Sequence, residues 1–242
     1  SFSITCDVTD VICKNKYVFT NALIKQVQRD FANYMLNTNR TDELSNSIKK
    51  FFLTKKIWCA SSTHELEEKI CANIHKKLKI KYKNLLTVII PRHTHRIKKI
   101  TREIKEMDLK IHLHDSKKKI DGETDIYLVN SFGQTQSFFK TCKTVFLGGS
   151  IIKHGGQNPL EAAKFGCQIL HGPNTWNFKE IYNLLQAHKV SYKITTSNQL
   201  AHKVDQILNS NKNSKNLKLK IKALGSKILN STLNEINFYM NK

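Results

Sequence analysis

Phe146-Leu-Gly-Gly-Ser150-Ile-Ile-Lys-His154-Gly-Gly-Gln-Asn158-Pro-Leu-Glu161-Ala-Ala-Lys-Phe-Gly166 reads as a strand, a glycine loop and the start of a helix. Thr144 to Leu147 are strand formers, and Gly148-Gly149 end the strand where backbone must come close to something else. Asn158-Pro159-Leu160-Glu161 then spells a helix start, with Asn as N-cap, Pro in the first position and Glu in the third. Free N–H groups and the positive end of a helix dipole behind flexible glycines suit an anion such as phosphate. An ordinary turn uses the same glycines.

The flanking sequence repeats this alternation. Residues 57–60 form a buried strand. Ser62-Thr63-His64-Glu65 reads as a capping box for a helix with Leu66, Ile70, Ile74 and Leu78 inward. Residues 85–90 form a second strand closed by Pro91, and a helix over 93–107 buries Ile97, Ile100, Ile104 and Met107. Strands are expected at 109–113 and 125–129, flanking a charged hairpin-like loop at 117–123. A short helix at 131–141 leads into the opening stretch. Beyond it come a strand at 168–170, a capping box at Asn177-Phe-Lys-Glu180 opening a helix, an edge strand at 192–194, and helices at 199–208 and 217–238. Upstream, only a strand at 17–20 and a helix at 22–36 are legible, and 37–47 reads as a linker.

Continuous apolar strands separated by helices predict an α/β fold, a doubly wound and mostly parallel Rossmann-like sheet covered on both faces. The expected domains are 51–242, the sheet with a C-terminal helix, and a poorly defined 1–50. Ligands of such sheets lie beyond the carboxyl ends of the strands. That places a candidate site on five loops: 61–65, 91–96, 130–134, 148–161 and 172–180. Ser61, Ser62, Thr63, His64, Arg92, His93, Ser150, His154, Asn158 and Glu161 fall in them. Arg92 stands where a guanidinium reaches a phosphate or carboxylate in bidentate fashion. No GxGxxG or GxxxxGK[ST] spacing is present, which argues against hydride transfer and ATP hydrolysis.

The chain carries 40 Lys and Arg against 19 Asp and Glu, a net charge of +21. Only five of the basic residues are Arg, and direct readers of bases rely on Arg. The Lys excess therefore fits a basic face towards an anionic membrane or glycolipid, or a chain-wide bias, better than nucleic acid. The six cysteines (Cys6, Cys13, Cys59, Cys71, Cys142, Cys167) show no CxxC pair and read as reduced core thiols. His93-x-His95 and His112-x-His114 lack acidic or thiolate partners, so no metal is expected. No run approaches the ~20 apolar residues of a membrane span. The first residues are neither a signal peptide nor an initiator Met, so the chain is expected to begin mid-protein.

The wording of three stretches is more specific: Trp58-Cys-Ala-Ser-Ser-Thr-His-Glu65, Ile90-Pro-Arg-His93 with Arg96, and the block from Gly148 to Glu180. Together they resemble the 3-deoxy-D-manno-octulosonic acid (Kdo) transferases over about half the chain, from Trp58 to Ile181. The resemblance implies the C-terminal half of a GT-B glycosyltransferase with two facing Rossmann-like domains, the C-terminal one holding CMP-Kdo. The reaction implied is inverting, metal-independent transfer of Kdo from CMP-Kdo to the lipid A precursor in lipopolysaccharide biosynthesis. It needs no cofactor beyond the donor and runs at the cytoplasmic face of the bacterial inner membrane.

The family's nucleotide contacts would fall on Pro91 and Arg92, on Gly133, Gln134 and Thr135, and on Asn158, Pro159, Leu160 and Glu161, with Glu161 taking ribose hydroxyls. Ser62, Thr63, His64, Ser150, His154, Gly155 and Gly156 are secondary donor-site candidates. Lys25 stands in for a catalytic Lys. The family's Asp-Thr-Met-Gly-Glu-Leu appears here as Asn130-Ser-Phe-Gly133-Gln134-Thr, two carboxylates fewer. The family's general base, a Glu, belongs to an N-terminal domain absent from this chain, so the fragment is expected to bind donor without turning it over. The competing readings are another GT-B enzyme using a UDP-sugar, an inactive remnant, and a basic nucleic-acid-binding module, which would need basic and aromatic residues interleaved on one face.

Overall fold

The computed structural model describes residues 43–131, 133–210, 216–223 and 225–226. Lys25, Cys6, Cys13, the expected strand at 17–20 and helix at 22–36, and the end of the 217–238 helix lie outside them. Thr41–Leu224 forms one compact unit. Its elements are α1 (Asn46–Leu53), β1 (Lys56–Thr63), α2 (Glu67–Lys79), β2 (Leu85–Pro91), a 3-10 turn (Thr94–Arg96), α3 (Ile97–Lys105), β3 (Ile111–Leu113) and β4 (Ile126–Leu128). Then follow α4 (Thr135–Thr141), β5 (Thr144–Leu147), α5 (Leu160–Lys164), β6 (Gln168–His171), a 3-10 turn (Trp176–Phe178), α6 (Lys179–Ala187), β7 (Ser191–Lys193) and α7 (Ser197–Asn209). Helix α1 crosses the boundary expected at residue 50, and its Phe52 is buried in the core.

The seven strands form one parallel sheet in the order β3-β4-β2-β1-β5-β6-β7. The doubly wound reading holds, with corrections in detail. The segment between β3 and β4 is no hairpin, because those strands run parallel, Ile111 against Ile126 and Leu113 against Leu128. A parallel pair cannot be joined by a tight turn, so the charged stretch is a crossover. Helix α2 starts at Glu67, and Ser62-Thr63-His64-Glu65 is no capping box. Ser62 (φ 54°) and Leu66 (φ 76°) turn the chain first, leaving Leu66 exposed instead of inward. No side-chain cap opens α6 either; Asn177 bonds elsewhere.

Alternation along the strands divides the core in two. Trp58, Ala60, Leu85, Ile89, Phe146 and Leu170 pack under α2, α3 and α7. Cys59, Leu86, Val88, Val145, Leu147 and Ile169 pack on the other face with Phe52, Phe138, Ala162 and Tyr182. All four described cysteines are buried free thiols, each enclosed in this core.

One polar chain runs through the interior. His75 Nδ1 is 2.9 Å from Thr87 Oγ1, and its Nε2 lies 3.2 Å from Asp125 Oδ1. Lys79 and the Lys110 N–H complete the carboxylate's partners. Burial pushes the Asp125 carboxyl up, but those donors outweigh it and hold it well below the usual range. Thr87 lies fully buried in mid-strand, so the chain is a clasp and not a reactive triad.

The sheet's winding reverses once. From β1 the chain builds outward through β2 to β3 and β4, then crosses back to β5 on the other side of β1. The loops after β1 and β5 therefore part in opposite directions, which opens a crevice at their carboxyl ends.

Phe146 is fully buried at the centre of the sheet. Phe146→Ala is expected to cost about 3–5 kcal/mol of stability through the cavity it leaves, read as a lower urea midpoint at unchanged slope.

Candidate functional site

The crevice is built around Glu67, the first residue of α2, whose side chain points back into the strand tips. Its carboxylate accepts four backbone N–H groups: His64 (3.0 Å) and Gly149 (2.7 Å) on Oε2, Ser150 (3.2 Å) and Ile151 (3.1 Å) on Oε1. Burial pushes this carboxyl up, and the four donors oppose that rise. Gly148 has to be glycine for the same reason. A Cβ there would meet the Ser62 carbonyl, Thr63 Cα at 2.6 Å and Glu67 Oε2 at 2.7 Å.

This corrects the anion-cradle reading of the glycine loop. The N–H groups at 149–151 are already filled by a side chain of the protein itself. Helix α5 is only five residues long, so its dipole is slight, and Pro159 occupies its cap position. Asn158 still helps its start, since its carboxamide oxygen accepts from Leu160 N–H at 3.0 Å.

Other ties set the remaining loops. Ser150 is fully buried; its hydroxyl donates to Leu147 O (2.5 Å) and accepts from Gly172 N–H (2.8 Å). It is thus engaged within the fold. Asn174 Nδ2 donates to Ile151 O (2.9 Å), and Tyr182 OH to Gln157 O (2.8 Å). Gly155 and Gly156 are buried at positive φ, and a Cβ on Gly155 would meet Asn177 and Trp176 Nε1 (2.8 Å). Arg92 N–H donates to Thr63 O (3.0 Å), joining the loop after β2 to the tip of β1. Arg96 forks onto the buried Glu68 at 3.0 and 3.1 Å.

Among these ties the structure gathers imidazoles from three loops. The rings of His64 and His154 lie 4.1 Å apart, His64 and His93 5.7 Å, and His93 and His95 5.5 Å. His64 is buried, while His93, His95 and His154 are exposed. Burial, then the nearby His154, His93, Arg96 and Arg92, pull the His64 pKa down to about 4. Gln157 Nε2 lies 3.5 Å from His64 Nε2. Among the described residues, the buried hydroxyls of Ser61 and Thr63 on β1 and of Ser131 after β4 have no hydrogen-bond partner.

The expected site residues thus divide. Pro91, Arg92, Ser62, Thr63, His64, His154, Gly155 and Gly156 belong to loops that touch around His64. Asn158, Leu160 and Glu161 follow Gln157, with Asn158 and Leu160 exposed and Glu161 half-buried. Gly133 (φ 81°), Gln134 and Thr135 lie at the start of α4, beyond β4. The loop after β4 approaches the loop after β2 through an open cavity of about 520 Å3 lined by Thr94, His95, Ile97, Lys98 and Asn130.

The larger cavity, about 620 Å3, sits at the opposite end of the sheet, among Lys56, Thr144 and Gln168 at the starts of β1, β5 and β6. It is remote from the crevice chemistry. The second His-x-His pair serves Tyr127: His112 stacks on its ring at 5.5 Å, and His114 Nδ1 lies 2.8 Å from its hydroxyl. Among the described residues no group of three or more His, Cys, Asp or Glu is placed to hold a metal ion, and no helix is long and apolar enough to cross a membrane.

Reading by loops missed Glu67 and Glu68. Three glutamates within four residues of a chain so poor in acid was the available signal.

A parallel α/β sheet whose winding reverses at a polar crevice defines a Rossmann-like domain. Among solved structures it resembles the C-terminal CMP-Kdo binding domain of WaaA from Acinetobacter baumannii, with TM-score 0.67 and 20% identity over 73% of this chain and 92% of that one. In sequence the chain is 34% identical over 182 residues to the 3-deoxy-D-manno-octulosonic acid transferase of Haemophilus influenzae, which is 73% of this chain and 42% of that protein. It is 32% identical over 190 residues to the transferase of Rickettsia bellii, 78% of this chain and 44% of that one. This chain is a homologue of the Kdo transferases, spanning less than half the length of those relatives. No family model matches it.

Two outcomes test the site's physics. Glu67→Ala orphans four buried N–H groups and is expected to cost at least about 3 kcal/mol. Glu67→Gln is expected to destabilise too, since either amide orientation sets an NH2 against two N–H donors; denaturant melts measure both. His64 and the buried His171, each held near pKa 4 chiefly by burial, bind fewer protons folded than unfolded. Stability is therefore expected to fall as pH drops from about 6.5 towards 4, and less so in His64→Gln.

Proposed function

We propose that this chain is the donor-binding part of a Kdo transferase, which grips CMP-Kdo at the carboxyl edge of the sheet. The observation that carries the reading is the long similarity to named Kdo transferases coinciding with a crevice of imidazoles and arginines at the winding reversal. In this reading Arg92 and Pro91 meet the phosphate of CMP, and Asn158 to Glu161 meet the ribose. Gly133, Gln134 and Thr135 border the base or phosphate. Gln134 and Asn130 carry no charge, so they contribute hydrogen bonds only.

The chemistry proposed is inverting glycosyl transfer without a metal. A hydroxyl of the lipid A precursor attacks the anomeric carbon of Kdo as CMP departs. Arg92 stabilises the negative charge building on the departing phosphate, an electrostatic role in a low-dielectric crevice. The proton leaves to a base in the acceptor-binding part of the enzyme, and Lys25 is the chain's own candidate for assisting there. The acceptor, an anionic glycolipid, places the reaction at the cytoplasmic face of the inner membrane, and the surplus of Lys suits that surface. The exposed side chains of Leu66, Leu160 and Trp176 provide apolar contact near the same edge.

Thermal-shift and calorimetric titrations decide between donors. CMP is expected to raise the melting temperature more than UMP or AMP, and Arg92→Ala is expected to weaken CMP binding about 10- to 100-fold, the worth of one charge-assisted phosphate contact of ~1.5–3 kcal/mol. Equal shifts with UMP would instead favour a UDP-sugar donor.

A further inference from the structure

Four imidazoles and two guanidinium groups converge at the tips of β1, β2 and β5, and among the described residues no acid is paired with the imidazoles. Glu67 faces the cluster from α2, but its oxygens are filled by four backbone N–H groups, one of them His64's own. Glu68 is spent on Arg96, and Glu65 is paired with Lys99. From the loop after β2 come Arg92, His93, His95 and Arg96; from the loop after β5 come His154 and Gln157. The buried hydroxyls of Ser61 and Thr63, without a hydrogen-bond partner among the described residues, lie on β1 just before His64.

Resting on the donor-binding reading above, we propose that His64, His93 and His154, with Arg92, form a subsite for a mononegative oxyanion of the donor, and that the cluster takes up a proton as the anion binds. Two groups of a CMP-linked sugar acid have this chemistry, the phosphodiester and the sugar's carboxylate. The geometry is graded: a buried ring flanked by two exposed ones 4.1 and 5.7 Å away. Empty, the cluster resists charging: burial together with the neighbouring groups holds His64 and His93 below the ordinary histidine range. An anion among the rings reverses the sign of the local field, so imidazolium becomes the favoured form. Binding then strengthens as pH falls, up to about tenfold per pH unit for each proton taken up. The glycine loop cannot supply this charge, its N–H groups being closed by Glu67.

The test is a pH titration of the histidine ring signals by NMR on the full chain, alone and saturated with each of four probes: sulfate, free Kdo, CMP and cytidine. Sulfate does not titrate in the range, so movement it causes belongs to the protein. Sulfate and at least one of Kdo and CMP are expected to raise the midpoints of His64 and His93 by about one pH unit, with no effect from cytidine. The larger rise with Kdo or with CMP assigns the subsite to the carboxylate or to the phosphate. His154→Asn, an exposed position, is expected to fold normally and to weaken sulfate binding several-fold with a smaller rise at His64. Unmoved midpoints under saturating sulfate and CMP, or equal rises in His154→Asn, would overturn the proposal. CMP binding in preference to UMP without any midpoint change would leave the donor reading standing and remove only the subsite. Sulfate-driven rises without a CMP preference would do the reverse.

Discussion

The bond that everything at the carboxyl edge depends on joins the Glu67 carboxylate to the N–H groups of His64, Gly149, Ser150 and Ile151. A glycine-rich loop leaving a strand has several backbone donors pointing the same way, and burying them without partners is costly. Many nucleotide-binding folds leave that need to the ligand's phosphate. Here the protein meets it internally, from the first turn of the neighbouring helix, where a negative charge is also favoured. The loop is thereby shaped before any ligand arrives. The consequence is that any anion reaching this edge would have to be met by side chains.

That constraint gives the surrounding residues a common reason. Arg92 is anchored through its own backbone N–H to Thr63, and among the described residues its guanidinium takes part in no side-chain hydrogen bond. Arg96 is different: its fork is closed by Glu68, so it orients the loop after β2 and adds field without offering a free fork. Ser150 likewise locks the loop after β5 to the one after β6. Residues of these two kinds alternate along the same short loops, which is why a list of polar loop residues overstates how many can touch a ligand.

The sheet was readable because its strands are continuous apolar runs, and burial on both faces leaves such runs no other use. The details that escaped reading are those where local chemistry lost to tertiary contact. Ser62-Thr63-His64-Glu65 has the form of a capping box, yet β1 continues to Thr63 because β2 and β5 flank it, and the helix waits until Glu67. The segment between β3 and β4 has the charge and length of a hairpin loop, but β3 and β4 pair parallel, so it has to carry the chain back across the sheet instead of turning it tightly. Among site residues, Arg92, His64 and His154 could be picked out by position after strands. Glu67 could not, because an acid in the first turn of a helix is ordinary, and its reach to Gly149 spans 82 positions in sequence.

The net charge of +21 is the most conspicuous property of the sequence, yet it does not organise the crevice. At physiological ionic strength exposed charges more than about 8 Å apart are screened from one another, so lysines scattered over the surface add little at one point. What acts on a ligand in the crevice is the handful of groups within reach of His64, part of them buried where screening is weak. Of those, the arginines keep a fixed charge, while the imidazoles respond to what lies between them. An imidazole beside an anion favours its charged form, so what it contributes depends on what is bound, whereas a guanidinium contributes the same charge throughout.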